Sequence, residues 1–160
     1  MSIAIGQEIP DVELRTMVRK TPEAVRSRAA LGKGRVVLFA VPGAFTPTCS
    51  DYHLPGFVHR ADEFFAKNVD TVACISVNDP FVMGAWGRDQ KVGDKVLMLA
   101  DSNGEFTRAM GLEADMSGAG LGTRSQRYAA VLDDGIVTAL FVETERGLHV
   151  SSAEAVLARL

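Results

Sequence analysis

The feature that most constrains the fold of this chain is an uncharged apolar run that prolines and a glycine cut short. Residues 36–41, Val-Val-Leu-Phe-Ala-Val, have the composition of a strand buried on both faces. Pro42, Gly43 and Pro47 break that strand, and residues 50–67 then carry apolar side chains at helical spacing. A buried strand that passes directly into a helix indicates an α/β fold built in layers.

Cys49 lies where this strand gives way to the helix. Unpaired backbone N–H groups and the positive end of the helix dipole favour an anion at such a position. They therefore favour the thiolate, which is the nucleophilic form of cysteine. The position of Cys49 predicts a site of thiol chemistry.

Thr46 stands three residues before Cys49, where a thioredoxin-type redox motif would have a second cysteine. Cys49 cannot form a local disulfide with that position. The Thr46 hydroxyl can hold an oxygen-rich substrate over the sulfur, or it can cap the helix. The local pattern leaves both interpretations open.

The rest of the chain alternates between strands and helices and contains no repeats. The predicted strands cover residues 12–18, 36–41, 71–77, 96–99, 128–132 and 136–143, and the last two form a hairpin. The predicted helices cover residues 50–67, 80–90, 105–110 and 153–160. Residues 22–31 are interpreted as a short helix or connector, and residues 111–123 as a glycine-rich loop. The pattern predicts a single α/β domain over residues 1–160 with a mixed sheet.

Bulk properties limit the partners that we expect. A net charge of −3 gives no reason to expect nucleic acid or an anionic membrane surface as a partner. No apolar run reaches the ~20 residues that span a bilayer, and residues 1–8 lack the basic and apolar regions of a signal peptide. Two cysteines do not make a secreted disulfide scaffold. These properties predict a cytoplasmic protein.

Residues 42–49, Pro-Gly-Ala-Phe-Thr-Pro-Thr-Cys, resemble the P-x-x-x-T-x-x-C signature of the peroxiredoxins, and the Gly-Ala-Phe filling resembles their type II, or fifth, subfamily. Residues 53–57, 76–86 and 122–128 resemble the same subfamily in order and spacing. The resemblance extends from about Gly6 to the C-terminus. It implies a thioredoxin-like fold, in which helices flank a central mixed sheet, with an N-terminal extension.

The resemblance also implies a mechanism. The Cys49 thiolate would attack a peroxide and become a sulfenic acid, while Thr46 and Arg127 hold and polarise the peroxide and Pro42 shields the thiolate from bulk water. An external thiol would then reduce Cys49. That thiol is expected to be glutathione with glutaredoxin or thioredoxin, with the glutathione system preferred, and no metal, haem or flavin is implied.

Arg127 and Arg124 are the candidate cationic partners of Cys49, because arginine stays charged and presents several donors in a rigid fork. Arg127 directly precedes the predicted strand 128–132, which is where the resembled family has its active-site arginine. Arg124 is expected to support the site or to lie at a dimer interface. Without the resemblance, either arginine would be interpreted as a solvated surface charge.

Cys74 and His53 leave alternatives open. Cys74 lies in the predicted apolar strand 71–77. It is interpreted as an inert core thiol or, as the resemblance allows, as a resolving thiol. Residues 147–152, where other members of the resembled subfamily have a resolving cysteine, contain none. His53, one helical turn after Cys49, can pack and orient the loop, act as a base in cysteine acyl transfer, or share a metal with the thiolate. The rival functions are therefore acyl transfer by Cys49 and His53, and a non-enzymatic redox sensor or binding protein that uses Cys49.

Four apolar residues lie in segments that flank the dimerisation face of the resembled family: Phe45, Phe81, Trp86 and Leu121. Apolar residues grouped at a surface often mark a contact. We therefore expect a homodimer.

Overall fold

A computed structural model describes all 160 residues, and a seven-stranded mixed sheet forms its centre. The strands are β1 (Glu13–Val18), β2 (Thr21–Arg26), β3 (Arg35–Ala40), β4 (Thr71–Ser76), β5 (Leu97–Ala100), β6 (Glu113–Asp115), β7 (Thr123–Ser125), β8 (Tyr128–Asp133) and β9 (Ile136–Val142). The helices are α1 (Ser27–Leu31), α2 (Leu54–His59), α3 (Ala61–Ala66), α4 (Pro80–Asp89), α5 (Glu105–Met110) and α6 (Ala153–Leu157). A π-helix (Cys49–His53) precedes α2, and a 3₁₀-helix (Ser117–Ala119) lies between β6 and β7.

The sheet has the order β2-β1-β5-β4-β3-β8-β9, and β6 pairs with β7 separately. The central strands β3, β4 and β5 are parallel, whereas the outer pairs are antiparallel. This mixed sheet flanked by helices confirms the predicted thioredoxin-like α/β fold. None of the helices combines the length and apolar character that a bilayer crossing requires.

Strand β3 is buried on both faces, as its apolar sequence predicts. Val37 and Phe39 pack into one core cluster, and Val36, Leu38 and Ala40 pack into a second cluster on the other side of the sheet. Because successive side chains of a strand point to opposite faces, such a strand needs apolar residues at every position. The segment that follows β3 is thereby anchored at the centre of the molecule.

Strand β8 runs antiparallel to β3, with Ala40 opposite Tyr128. Arg127 therefore lies just beyond the carboxyl end of β3, beside the segment that carries Cys49. A two-residue turn joins β8 to β9, and its residues Asp134 and Gly135 have φ angles of 47° and 82°. Positive φ at both positions is the type I′ geometry that Asp-Gly favours, so the predicted hairpin is confirmed.

Three predicted segments were wrong in part. Residues 22–31 contain the edge strand β2 before α1; most β2 residues are exposed, so the segment lacks the apolar alternation that marks a strand. The glycine-rich segment 111–123 contains β6, β7 and the 3₁₀-helix, which are too short to give a periodic signal. The helix predicted over 50–67 begins as the π-helix and is interrupted at Arg60.

The remaining helices follow the sequence pattern. Helix α5 has the predicted limits, and α4 begins at Pro80 behind Asp79, whose side chain accepts a hydrogen bond from the Val82 N–H as the cap. Helix α6 begins at the predicted residue but ends at Leu157, three residues early.

Candidate active site

Cys49 is the first residue of the π-helix, and its side chain is fully buried. The Leu54 N–H donates to the Cys49 carbonyl five residues earlier, which is the π-helical pattern. Phe45, in the turn before the helix, has a left-handed φ of 64°. A non-glycine residue in that region and a π-helical turn are both features that concentrate at functional sites.

Arg127 is the residue that reaches the Cys49 sulfur. Its Nη2 group donates a hydrogen bond to Cys49 Sγ at 3.1 Å, across 78 residues of sequence. The guanidinium remains charged at any ordinary pH, and its hydrogen bond is stronger to a thiolate than to a thiol. The pair therefore supports Cys49 as an anionic nucleophile with a fixed cation beside it.

His53 contacts Arg127 and not the Cys49 sulfur. Arg127 Nη1 lies 2.9 Å from His53 Nδ1, and because a guanidinium can only donate, Nδ1 must be the acceptor. The hydrogen of the neutral ring is then on Nε2, which donates to the Ser151 carbonyl at 2.9 Å. Burial and the positive charge of Arg127 lower the pKa of His53 to about 3, so the ring is neutral.

These contacts decide between the interpretations of His53. A base for acyl transfer would have to accept a proton from Cys49, and a metal ligand would need a free ring nitrogen. Both ring nitrogens are occupied, by Arg127 and by Ser151. The packing interpretation is the one that the structure supports, and the ring also orients the active-site arginine.

Glu143 organises the loop that carries Ser151. Its Oε2 atom accepts hydrogen bonds of 2.7–2.9 Å from the backbone N–H groups of His149, Val150 and Ser151 and from the Ser151 hydroxyl. Partial burial by itself would raise the pKa of Glu143. The hydrogen bonds outweigh that effect, so its pKa lies below the ordinary value and the carboxylate is charged.

Thr46 and Pro42 belong to the turn that leads into the π-helix, and both are half-buried. The Thr46 hydroxyl donates to the Gly43 carbonyl at 2.7 Å. A Cβ atom on Gly43 would lie 3.1 Å from the Thr46 methyl group and 3.2 Å from Arg124 Nη1. A larger residue at this position would therefore have to displace the Thr46 methyl group or the Arg124 guanidinium slightly.

Arg124 joins three loops and makes no hydrogen bond to Cys49. Its Nη1 group donates to the carbonyls of Val77 at 3.1 Å and Pro42 at 3.4 Å, and its Nε group donates to that of Leu121 at 2.8 Å. It is therefore a structural neighbour of the turn around Pro42, in line with the expected supporting role.

Cys74 lies on β4 opposite Phe39 of β3, fully buried and without a disulfide. It shares one core cluster with Cys49. Burial, and to a lesser degree the charge of Cys49, raise the pKa of the Cys74 thiol well above its ordinary value. Cys74 is consequently a protonated, weakly nucleophilic thiol in this conformation.

The apolar residues expected at a surface do not all lie there. Trp86 is fully buried, and its indole N–H donates to the Ser50 hydroxyl at 3.0 Å, so its assignment to an exposed contact face was wrong. Phe45 and Phe81 are exposed, by 52% and 60%, and Leu121 is half-buried. The Trp86 ring lies behind that of Phe45, at 6.4 Å between centroids.

Sequence reasoning found Cys49 and Arg127 but missed Glu143 and Ser151. A single glutamate after a strand, and a serine eight residues later, form no motif. Their roles arise from the folding of residues 143–151 against the π-helix. The glutamate's only local signal is that it is the last residue of the predicted strand 136–143; in the structure it directly follows β9.

Comparison with known proteins gives a consistent result. Residues 4–157 match the Redoxin family. The chain is 45% identical to Peroxiredoxin-2B of Arabidopsis thaliana over 159 residues, which cover 99% of this chain and 98% of that protein. It is 47% identical to the chloroplastic Peroxiredoxin-2E of the same plant over 164 residues, which cover 99% and 70%. The crystal structure of reduced Prx3 from Vibrio vulnificus in complex with H₂O₂ superposes with a TM-score of 0.93 at 48% identity, covering 98% of each chain.

Proposed function

This chain belongs to the type II peroxiredoxins, a family of thiol-dependent peroxidases, and we propose that Cys49 is its peroxidatic residue. The observation that carries the proposal is the Arg127 hydrogen bond to Cys49 Sγ at 3.1 Å. The cation stabilises the thiolate, and its fork of donors can follow the charge as it moves to oxygen during the reaction.

The chemical step is a two-electron transfer. The Cys49 thiolate attacks one oxygen of the hydroperoxide, so that a sulfur–oxygen bond forms while the O–O bond breaks. The leaving alkoxide or hydroxide takes a proton from water and departs as alcohol or water. Sulfur is oxidised to the sulfenic acid, and the peroxide is reduced.

Thr46 and Pro42 complete the proposed peroxide site. The Thr46 hydroxyl uses its only hydrogen on the Gly43 carbonyl, so its oxygen can accept a hydrogen bond from a peroxide O–H group. Pro42 lies half-buried beside this turn, offers no N–H group and limits access of bulk water. Hydrogen peroxide and alkyl hydroperoxides are the proposed substrates, in keeping with the H₂O₂ bound to the Vibrio relative.

We propose an external thiol as the reductant, glutathione with glutaredoxin in preference to thioredoxin. One thiol condenses with the sulfenic acid, which releases water and leaves a mixed disulfide, and a second thiol then restores Cys49. Cys74 is buried in β4, so a resolving disulfide would require movement of the π-helix. Because Cys49 is itself fully buried, the first turn of the π-helix must also open before an external thiol can reach the sulfur. This opening is smaller than the movement that a Cys49–Cys74 disulfide would require.

A homodimer that buries Phe45 and Phe81 is part of the proposal. Both side chains are more than half exposed on the active-site side of the molecule, beside the Pro42–Cys49 turn and at the start of α4. Sedimentation at tens of micromolar should give twice the mass of 17.2 kDa. A strictly monomeric mass would contradict this part of the proposal.

A reducing compartment, the cytoplasm, suits these properties. Both cysteines are free, and the cycle consumes a reduced thiol. Fractionation of cells that produce the protein would test the location.

The experiment that tests the function is a peroxide-consumption assay with hydrogen peroxide and an alkyl hydroperoxide. Glutathione, glutathione with glutaredoxin, and thioredoxin with its reductase are supplied separately. Continuous turnover with a glutathione system is the expected result. A single stoichiometric oxidation of Cys49, with no turnover under any reductant, would favour the redox-sensor alternative.

A further inference from the structure

The contacts around Arg127 form a closed ring of hydrogen bonds. The backbone N–H of Glu143 donates to the Arg127 carbonyl at 3.0 Å. The Glu143 carboxylate receives the N–H and hydroxyl of Ser151, the Ser151 carbonyl receives His53 Nε2, and His53 Nδ1 receives Arg127 Nη1. Glu143 also accepts hydrogen bonds from the N–H groups of His149 and Val150. The bond that joins the ring to the thiol runs from Arg127 Nη2 to Cys49 Sγ.

We infer that Glu143 is a positioning residue for peroxide reduction: its carboxylate holds the Ser151 carbonyl against His53 and so keeps Arg127 directed at Cys49. This inference rests on the proposed roles of Cys49 and Arg127, and it adds a residue that touches neither the sulfur nor the peroxide.

The first step of the argument is that Glu143 serves this loop. All four donors to its side chain come from residues 149–151, and none of the ion pairs in the protein includes it. Residues 149–151 precede α6 and form no strand or helix of their own. The position of the Ser151 carbonyl therefore depends on this carboxylate.

The second step concerns the His53 ring. A neutral imidazole carries its hydrogen on one nitrogen only. While the Ser151 carbonyl is in place, Nε2 keeps the hydrogen and Nδ1 is an acceptor for Arg127. If the loop moves away, only Arg127 still favours the Nε2–H tautomer, so the population of the other tautomer rises. In that tautomer the Nδ1–H group would oppose the N–H of Arg127.

The third step is the consequence for Arg127. Two donors that face each other repel, and the guanidinium would rotate away from the ring. Its Nη2 group would then lose its alignment with the Cys49 sulfur. A loop carboxylate thus acts on the sulfur through a serine carbonyl, a tautomer and an arginine.

Glu143→Ala, Glu143→Gln and the matched control Glu145→Ala test the inference. Glu145 is an exposed neighbour whose side chain makes no hydrogen bond or ion pair. We expect kcat/KM for hydrogen peroxide to fall about 10-fold in Glu143→Ala, a fraction of the ~100- to 1,000-fold loss for a direct donor. Glu143→Gln retains an oxygen acceptor and should recover part of the rate. Glu145→Ala should match wild type.

A double-mutant cycle separates positioning from general destabilisation. In an Arg127→Gln background, Glu143→Ala should cost less than about 2-fold, because the arginine through which it acts is gone. An equal loss in both backgrounds, or no loss in either, would overturn the inference.

Nitrogen NMR of the imidazole rings gives a readout independent of turnover. Wild type should show His53 as the Nε2–H tautomer, and Glu143→Ala should show a mixture of tautomers or the Nδ1–H form. An unchanged tautomer in Glu143→Ala would overturn the inference even if the rate fell. If wild type consumes no peroxide, the proposed function fails, while the tautomer measurement still tests the ring.

Discussion

Two thiols occupy the same core cluster and are equally buried, yet their surroundings differ in nearly every other respect. Cys49 lies at the start of a π-helix and accepts a hydrogen bond from a guanidinium. Cys74 lies in the middle of β4, between the strands that carry Phe39 and Met98. Burial alone would make both thiols inert.

The difference between them comes from polar partners, and not from exposure. Around Cys74 the loss of solvation outweighs the opposing charge of Arg127, so the pKa of Cys74 is raised well above its ordinary value. Around Cys49 the chain supplies Arg127, which His53, Ser151 and Glu143 hold in place. A buried nucleophile therefore needs polar groups that stabilise its charged form. Each of these groups can be tested by substitution.

Replacement of Cys49 should have the largest effect on peroxidase turnover. Cys49→Ser should abolish peroxidase turnover with the fold intact, because a serine hydroxyl stays protonated near pH 7 and is a poor nucleophile. Peroxide consumption is the measurement, and circular dichroism checks the fold. Turnover close to wild type in this variant would remove Cys49 from the mechanism.

Loss of the polar groups around Cys49 should make its reactivity more like that of Cys74. Arg127→Gln and Thr46→Val should each slow peroxide reduction by roughly 10- to 1,000-fold, because the first removes a donor to the reacting peroxide and the second an acceptor. Arg88→Gln, an exposed arginine on α4, is the control and should leave the rate unchanged. If Arg127→Gln reacts like the control, the cationic role passes to Arg124 or to another group.

His53 extends the comparison to a third buried titratable group. Its folded-state pKa is about 3, below the ordinary 6.5, so the unfolded state binds the extra proton between these values. The free energy of unfolding should therefore fall as the pH drops below about 6.5, by up to about 1.4 kcal/mol per pH unit, until the folded pKa is reached.

Urea denaturation at pH 7, 6 and 5 measures this dependence. His53→Phe, which retains an aromatic ring beside Phe39 and Phe57, should flatten the slope, and His59→Gln at an exposed position should not. Equal slopes for wild type and His53→Phe would show that His53 titrates normally in the folded protein.

Replacement of Cys74 should have the smallest effect. Cys74→Ala and Cys74→Ser should keep most glutathione- or glutaredoxin-dependent turnover, within about 2-fold, although buried serine should cost about 1–3 kcal/mol of stability when its hydroxyl lacks a partner. Coupled assays and mass spectrometry of oxidised wild type measure the effect. Loss of turnover with every reductant, together with a Cys49–Cys74 bridge, would make Cys74 the resolving residue.

The sequence predicted those parts of the fold in which local pattern and tertiary environment agree. The apolar run of β3, the Asp79 cap and the Asp-Gly turn can each be predicted from a few consecutive residues. The edge strand β2 was missed because its residues are mostly exposed and give no apolar alternation. It is a strand because it pairs with β1, which the local sequence does not indicate. The π-helical turn has no sequence signature distinct from that of an α-helix.

The same division holds at the site. Cys49 could be predicted from its place between strand and helix, and Arg127 and Thr46 from the family resemblance. The links through His53 to Ser151 and Glu143 span 98 and 8 residues, respectively. They depend on how the final loop folds against the π-helix, which no local periodicity encodes.

The antiparallel pairing of β8 with β3 has a consequence for the order in which the site forms during synthesis of the chain. Synthesis delivers the thiol segment long before the arginine, since 78 residues separate the two members of the pair. A growing chain that has been synthesised as far as β5 already contains Cys49 and His53 but lacks Arg127, Glu143 and Ser151. The peroxide chemistry that we propose for this sulfur can consequently begin only after the hairpin of β8 and β9 has paired with β3 in register.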